Sequence, residues 1–334
     1  MIGEAGVIRL ANGAIEVAVE PDQGAEILFV GRPGGRNVLA TYDWSAPLRA
    51  SRSSTYGDPL ADWLSEYRGG WQELFPNAGD ACVVNGVALP FHGEVSRARW
   101  DVVSQTAQAL VLRTPARLPL VLERRMRLAP GAATLLIDET VRCDAGVPVD
   151  FLWGHHPAFD AVAGATIDLP AGVVVTASDV YRLPRIDLEP GSRGVWPNVP
   201  GLGGGPPVAL DRVPVGPVER LAFLSGFGSR TWAAIRGFEP GLGMAMAWDA
   251  ATFPGAWLWW ELGGPGHPWY GRARIVAIEP HAADRADGLA AAIERGKAHR
   301  VRPAEARSAW LTMSLFDADE RPVLGVDRAG TVTR

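Results

Sequence analysis

The chain has 334 residues, 47% of them hydrophobic and 21% charged, with a formal net charge of −5 at pH 7. This acidic balance argues against a nucleic-acid partner, which needs clustered positive charge, and two cysteines, Cys82 and Cys143, are too few for a disulfide framework. No apolar run approaches the ~20 residues of a membrane helix and the first residues lack the pattern of a signal peptide, so we expect a cytoplasmic monomer or homodimer without a membrane partner.

The predicted elements are mostly short strands. Alternation of apolar and polar residues places them, in chain order, at 15–19, 26–30, 99–103, 109–113, 120–128, 134–143, 149–153, 232–236, 244–248, 256–260, 274–278 and 309–315. The strands 120–128 and 134–143 flank the turn sequence APGA and are predicted to form a hairpin. One helix is predicted at 284–295, ended by Gly296, and 51–70 is predicted to be a loop.

Strands that recur this often, with turns between them, indicate an all-β fold. We expect a large antiparallel β-sandwich with few short helices rather than alternating β and α units. A Pro/Gly-rich stretch at about 183–217 interrupts the strand pattern. We interpret it as a loop excursion rather than a linker, because strand pattern and tryptophan content are alike on both sides. Residues 1–334 are therefore predicted to form a single domain.

Three histidines stand in settings that suit chemistry. His92 lies in a turn, while His155 and His156 lie where a predicted strand ends against Pro157, and a proline holds the preceding residue in extended or turn backbone. Adjacent strand residues point to opposite faces, so His155 and His156 are poorly placed to bind one ion. No HxH or HExxH spacing is present either. We predict no metal site, and acid–base work is the alternative role.

Two carboxylates, Glu261 and Glu279, end apolar strands. Burying a carboxylate is costly unless it is hydrogen-bonded or functional, and desolvation raises its pKa toward the range of a general base. Tryptophan is unusually frequent, with 13 residues, several of them between 257 and 269. Core packing and stacking against a sugar ring both account for these indoles.

Four segments, taken in order and spacing, resemble the aldose 1-epimerase (galactose mutarotase-like) family. They are GGWQELFPNAG at 69–79, FHGE at 91–94 with Trp100 following, GHHPAF at 154–159 and IEP at 278–280. The resemblance extends from about residue 69 to residue 316, and it implies a β-supersandwich fold.

The resemblance also implies an isomerase that interconverts the α and β anomers of a free aldose without a cofactor. His156 would protonate the ring oxygen as general acid, and Glu279 would take the proton of the C1 hydroxyl as general base. His92 would hydrogen-bond the ring oxygen or a neighbouring hydroxyl. The expected sugar-binding residues are Asn77, Trp71, Trp260, Glu261 and Asp249.

Two positions depart from the family pattern. Galactose mutarotases carry an Asn-Arg pair where this chain has Asn77 and Ala78, and relatives acting on hexose 6-phosphates carry Arg where it has Ser96. The sequence therefore leaves the sugar open. Three alternatives also stay open: a non-catalytic sugar-binding or sensing protein on the same fold, a hexose-6-phosphate mutarotase, and a glycosidase or lyase with Glu261 and Glu279 as paired carboxylates.

Overall fold

The computed structural model describes residues 6–44, 57–160, 162–179 and 184–334. In chain order the strands are β1 Ile8–Ala11, β2 Glu16–Glu20, β3 Glu26–Gly31, β4 Trp71–Leu74, β5 Cys82–Val84, β6 Val87–Leu89, β7 Asp101–Gln105, β8 Ala109–Pro115, β9 Leu120–Leu128, β10 Thr134–Cys143, β11 Val149–Phe151, β12 Gly154–Asp160, β13 Thr166–Asp168, β14 Val174–Ala177, β15 Arg193–Val195, β16 Asn198–Val199, β17 Val208–Ala209, β18 Val218–Ser225, β19 Trp232–Glu239, β20 Leu242–Trp248, β21 Gly255–Leu262, β22 Arg274–His281, β23 His299–Val301, β24 Ala306–Asp317, β25 Gly325–Val326 and β26 Val332–Thr333. The α-helices of these residues are α1 Pro59–Glu66 and α2 Gly288–Glu294, with a 3-10 turn at Leu202–Gly204. Neither helix has the length and hydropathy needed to span a bilayer.

Two antiparallel sheets make up most of the fold. The first has ten strands in the order β1-β2-β3-β4-β12-β22-β21-β18-β14-β15, and the second has eight in the order β13-β19-β20-β24-β10-β9-β8-β7. Apolar side chains from both sheets form one continuous core, because each strand alternates between a core-facing and an outward-facing residue. The predicted all-β supersandwich with few short helices is confirmed.

The hairpin of β9 and β10 shows how the alternation in sequence becomes one buried face. Every second residue of β9 from Leu120 to Leu128 is buried. The register sets Leu135 opposite Leu128 and Cys143 opposite Leu120, so the apolar rows of both strands share a face. The hairpin therefore forms where the sequence predicts it. One member of its buried row, Arg124, is charged.

Several predicted loop and helix boundaries need correction. Helix α1 lies inside the predicted loop 51–70, because the Asp58 carboxylate accepts hydrogen bonds from the first free backbone N–H groups and Pro59 suits the first turn; residues 51–56 lie outside the described residues. The excursion at 183–217 contains β15, β16 and β17, and β15 extends the ten-stranded sheet; residue 183 itself lies outside the described ranges. Helix α2 is shorter than the predicted 284–295.

A buried ion cluster of Glu73, Arg124, Glu139 and His155 connects the two sheets. Glu73 and His155 come from β4 and β12 of the ten-stranded sheet, and Arg124 and Glu139 come from β9 and β10 of the other. Arg124 donates from Nε to Oε1 of Glu139 at 2.7 Å and from Nη2 to Glu73. His155 Nε2 lies 3.0 Å from Oε2 of Glu139. All four are at most 1% exposed, so each charge depends on the others for its partners.

We expect removal of Arg124 to destabilise the protein strongly. The Arg124→Met variant would leave two buried carboxyl groups without their cation, and breaking a buried ion pair in this way costs about 3–5 kcal/mol. Arg125 is the matched control, since its side chain on the same strand is 60% exposed. The Arg125→Met change should alter the free energy of unfolding by less than about 0.5 kcal/mol. Urea unfolding measures both, and equal losses in the two variants would contradict this role for the ion cluster.

Candidate functional site

His156 and Glu279 face each other across two neighbouring strands. In the ladder between β12 and β22, Gly154 pairs with His281 and Ala158 pairs with Ala277, which sets His156 opposite Glu279. Their side chains project from the same face, with His156 Nε2 3.7 Å from Oε1 of Glu279. They are 3% and 1% exposed. We call His156 and Glu279 the acid–base pair.

Two prolines open the ladder at this point. Pro157 follows His156 and Pro280 follows Glu279, and neither has an N–H to donate to the neighbouring strand. The bridges between β12 and β22 are absent from 155 to 157 and resume at Ala158. Strand β12 nevertheless continues through Pro157 to Asp160, so the proline interrupts the pairing without ending the strand, contrary to the sequence interpretation.

A pocket of about 690 Å³, its open mouth included, lies over the acid–base pair. Four indole rings, from α1, β21 and the loop after β21, line it, and α1 covers one side. The lining residues are Leu60, Trp63, Leu64, Phe91, His92, His156, Glu219, Leu221, Trp257, Trp259, Glu261, Trp269, Glu279 and Ala286.

His92 enters this pocket from the loop after β6. Its backbone has a positive φ of 61°, a conformation that histidine adopts more readily than most residues. Its Nδ1 accepts the backbone N–H of Gly79 at 3.0 Å, so the neutral ring carries its proton on Nε2. Burial, followed by the charges of His156 and His281, lowers the pKa of His92 well below its usual range. His92 is therefore a neutral ring with one N–H to donate.

Burial places the proton of the acid–base pair on the carboxyl group. Desolvation lowers the pKa of His156 to about 4, and desolvation raises the pKa of Glu279 well above its usual value. Burial thus favours the form of the pair that has the proton on Glu279, beside a neutral imidazole. His156 Nδ1 and Glu279 Oε2 have no hydrogen-bond partner among the described residues. A ligand with hydroxyl groups can provide the missing partners.

A second pair of carboxyl groups lines the same pocket. Glu219 of β18 and Glu261 of β21 are directly opposite in the ladder, and the two carboxyl groups are close enough for each to shift the pKa of the other. Gly264 N–H donates to Oε1 of Glu261 at 2.5 Å. Burial, together with the Glu219 charge, raises the pKa of Glu261 to about 8 against the opposing effect of that hydrogen bond. We call Glu219 and Glu261 the carboxyl pair.

The structure brings His92, His156, Glu279 and Glu261 into one pocket and leaves the other predicted sugar-binding residues outside its lining. Trp71 faces the core between the sheets, where its Nε1 donates to His155 at 3.2 Å. Trp260 is also on the core face, under the Arg220 guanidinium at 4.6 Å. The predictions for Trp71 and Trp260 are corrected, because strand parity turns both indoles away from the pocket.

Asn77 and Asp249 also need correction. The Asn77 amide donates to the carbonyls of Asp80 and Pro90, both at 2.9 Å, and its oxygen accepts from Leu289 N at 2.7 Å. It therefore joins two loops to α2 and has no free polar atom for a ligand. Asp249 follows β20 in the eight-stranded sheet, away from the pocket lining.

Five lining residues, Trp63, Trp257, Trp259, Trp269 and Glu219, are not among the sugar-binding residues predicted from the sequence. For β21 the signal was present: Glu261 fixes the pocket face, and residues two and four positions earlier on a strand share that face. The parity rule therefore selects Trp259 and Trp257 and rejects Trp260. Nothing local identifies Glu219, because only its long-range pairing with Glu261 brings it to the site.

One group of possible metal ligands occurs in the described part of the chain. Ligand atoms of Glu73, Glu139 and His155 lie within 4.8 Å of one another. The carboxylates of this group already accept hydrogen bonds from Arg124, whose positive charge occupies the place a cation would take. The group is therefore better described as an ion cluster than as a metal site.

Solved structures resemble this architecture over almost the whole chain, whereas no protein-family model and no curated protein match the sequence. The Slr1438 protein from Synechocystis sp. PCC 6803 superposes with a TM-score of 0.67 at 19% identity, covering 94% of this chain and 97% of that one. The GalM/aldose epimerase homologue from C. elegans gives 0.62 at 14% identity, covering 95% and 100%. A galactose mutarotase-like protein from Lactobacillus casei gives 0.58 at 17% identity, covering 93% and 100%.

The chain has the galactose mutarotase-like fold. At these identities the likeness establishes the fold alone, and a fold hosts more than one activity. The predicted resemblance is confirmed at the level of architecture. The function of this chain therefore depends on the residues of its pocket.

We expect the stability of a Glu279→Gln variant to diverge from wild type as pH rises. The pKa of Glu279 is raised in the folded state, so the wild type loses stability as pH rises above the unfolded value of about 4.3, because the unfolded chain releases this proton while the buried carboxyl group keeps it. Below that value both side chains are neutral and the difference between variant and wild type should be constant. Above it the variant should gain about 1.4 kcal/mol for each unit by which the pKa is raised.

Urea unfolding at several pH values between about 4 and 8 measures this difference. Glu294→Gln on α2 is the control, since Glu294 is exposed, and its effect should not vary with pH. A Glu279→Gln difference that stays flat over the whole range would contradict the raised pKa.

Proposed function

We propose that this protein is an isomerase that interconverts the α and β anomers of a free aldose. The observation that carries the proposal is the acid–base pair: His156 and Glu279 lie 3.7 Å apart, buried in an aromatic-walled pocket. Ring opening needs one group that gives a proton to the ring oxygen and one that takes a proton from the C1 hydroxyl. Indole walls suit the apolar faces of a sugar ring.

The proton balance of this reaction fits a pair that holds a single proton. As the bond between C1 and the ring oxygen breaks, one member protonates the ring oxygen while the other accepts the hydroxyl proton, and C1 becomes an aldehyde. Rotation about the C1–C2 bond presents the other face of the aldehyde. Ring closure then moves the proton back. The cycle uses no net oxidation, hydrolysis or proton uptake, so it requires no cofactor.

The general acid in the opening step depends on how the bound sugar distributes this proton. The resemblance implies His156 as acid and Glu279 as base, whereas burial alone puts the proton on Glu279. Sugar hydroxyls that donate to the Glu279 carboxylate would favour its charged form and move the proton to His156. His92, a neutral N–H donor in the same pocket, would orient the ring oxygen or a neighbouring hydroxyl.

The charge of the pocket favours a free sugar over a sugar phosphate. Its described lining contains two histidines and three glutamates but neither lysine nor arginine. A phosphate group binds where Arg, Lys or a helix N-terminus offers positive charge. A glycosidase needs two carboxyl groups on either side of the glycosidic bond that is cleaved. This alternative receives less support, because the Glu261 carboxyl group faces Glu219 rather than Glu279.

We expect wild-type protein to accelerate anomer exchange of at least one free aldose, and each member of the acid–base pair to be needed. His156→Ala and Glu279→Gln should each lower kcat/KM by roughly 10²–10⁴-fold, the usual contribution of a general acid or base. Polarimetry of freshly dissolved α-anomers, with NMR exchange spectroscopy, measures the rates. The control Glu294→Gln replaces an exposed glutamate and should retain full activity.

Two outcomes would count against the proposal. Variants as fast as wild type, all above the spontaneous rate, would show that other residues carry the proton transfers. Binding of aldoses without acceleration of any of them would instead support a non-catalytic sugar-binding protein on this fold.

A further inference from the structure

The pocket face of the ten-stranded sheet is organised in three rows. The first row contains the acid–base pair and Trp257, which is opposite Glu279 in the ladder. The second contains Trp259 with Ala277 and Leu221. The third contains the carboxyl pair, Glu219 and Glu261. Because Trp257 and Glu261 are four residues apart on β21, the first and third rows are separated by about 13 Å of strand.

This separation is longer than one pyranose ring and close to the length of two linked rings. A sugar with its anomeric carbon at the acid–base pair would thus direct its far end across Trp259 toward Glu219 and Glu261. The carboxyl pair is therefore placed to contact a part of the ligand remote from the reacting carbon.

The carboxyl pair itself is built as a close double acceptor. A Cβ atom at Gly264 would lie 2.6 Å from Oε1 of Glu261 and 2.8 Å from Oε1 of Glu219, so both carboxyl groups abut the same small space. Glu219 is 4% exposed, and its Oε2 has no hydrogen-bond partner in the described part of the chain. An unsatisfied acceptor that lines a pocket calls for a donor from a ligand.

Charge identifies the kind of donor. No lysine or arginine is part of the described pocket lining; the cation that most favours ionisation of the pair, Arg185, is exposed. Two facing carboxylates repel each other, so at neutral pH one proton stays between them. Trp259 and Trp269 line the same pocket, and the negative face of an indole ring attracts cations. These features favour a cation over a neutral group.

We propose that Glu219 and Glu261 form a subsite for an ammonium group carried by the sugar at a position distant from its anomeric carbon. The substrate class is then a reducing amino sugar, with the amine on a second ring. This inference rests on the proposed function for the placement of the anomeric carbon. The subsite itself depends only on the carboxyl pair.

An ammonium group fits this subsite better than a hydroxyl for two reasons. It has three donors, enough for both carboxyl groups, whereas a hydroxyl has one. Its positive charge also offsets the repulsion, so both carboxyl groups can ionise once it is bound. The proton held between them must then leave, which makes proton release a signature that a neutral sugar does not give.

The test compares cellobiose with the β-1,4-linked disaccharide of glucosamine, which has amino groups in place of two hydroxyls. Glucose and glucosamine form the reference pair, since they report any effect of an amine on the reducing ring alone. Isothermal titration calorimetry at neutral pH, in two buffers of different ionisation enthalpy, measures affinity and protons released. We expect the amine to increase disaccharide affinity by about tenfold more than monosaccharide affinity, the scale of one added charge-assisted hydrogen bond. Proton release should accompany only the disaccharide amine.

Variants separate this proposal from the proposed function. Glu219→Gln and Glu261→Gln should each abolish the preference for the amine and the proton release. The preference is the ratio of two affinities measured on the same variant, so a general loss of affinity cancels. Glu279→Gln should keep the preference in calorimetry while losing anomer exchange. Equal amine effects on monosaccharide and disaccharide, or a preference that survives both carboxyl variants, would overturn the subsite. If the wild type accelerates anomer exchange of no sugar but keeps the calorimetric preference for the amine, only the proposed function is overturned.

Discussion

The arrangement of this molecule depends on the buried ion cluster that crosses between its two sheets. Arg124 forms salt bridges with Glu73 and Glu139, which belong to different sheets. His155 is the fourth member of the cluster and contacts Glu139. Burial raises the pKa of Glu73 to about 7, whereas His155 and Arg124 outweigh the effect of burial and lower that of Glu139 to about 2. Such a cluster adds little net stability over an apolar core, but it tolerates few alternative alignments of the sheets.

The ion cluster also determines where the candidate site lies. His155 and His156 are neighbours on β12 and project from opposite faces, so the strand carries the cluster on its core side and the acid–base pair on its pocket side. Two hydrogen-bond partners for the His155 ring, Trp71 and Glu139, hold the backbone beneath His156. The gap in pairing at Pro157 and Pro280 would otherwise leave this part of the sheet loosely constrained.

The sequence predicted the architecture better than it predicted the pocket. Alternation along β9 and β10 is local, so it identified the hairpin, and the linked motifs identified His92, His156 and Glu279. The prediction of sugar-binding residues failed where the deciding information was not local. The choice between Trp259 and Trp260 needs the face of β21, and Trp71 was misread because its indole serves the ion cluster. Glu219 emerges only from its pairing with β21.

One physical effect gives the pocket both of its pairs. Desolvation makes each ionised carboxyl group costly, and the histidine beside Glu279, His156, is itself too buried to be a ready cation. Burial thus favours a protonated carboxyl group in each pair, and a ligand that changes the local charge can move that proton. In the proposed function, the proton of the acid–base pair serves chemistry at the anomeric carbon. In the proposed subsite, the proton of the carboxyl pair serves recognition, because it can be exchanged for the charge of a ligand.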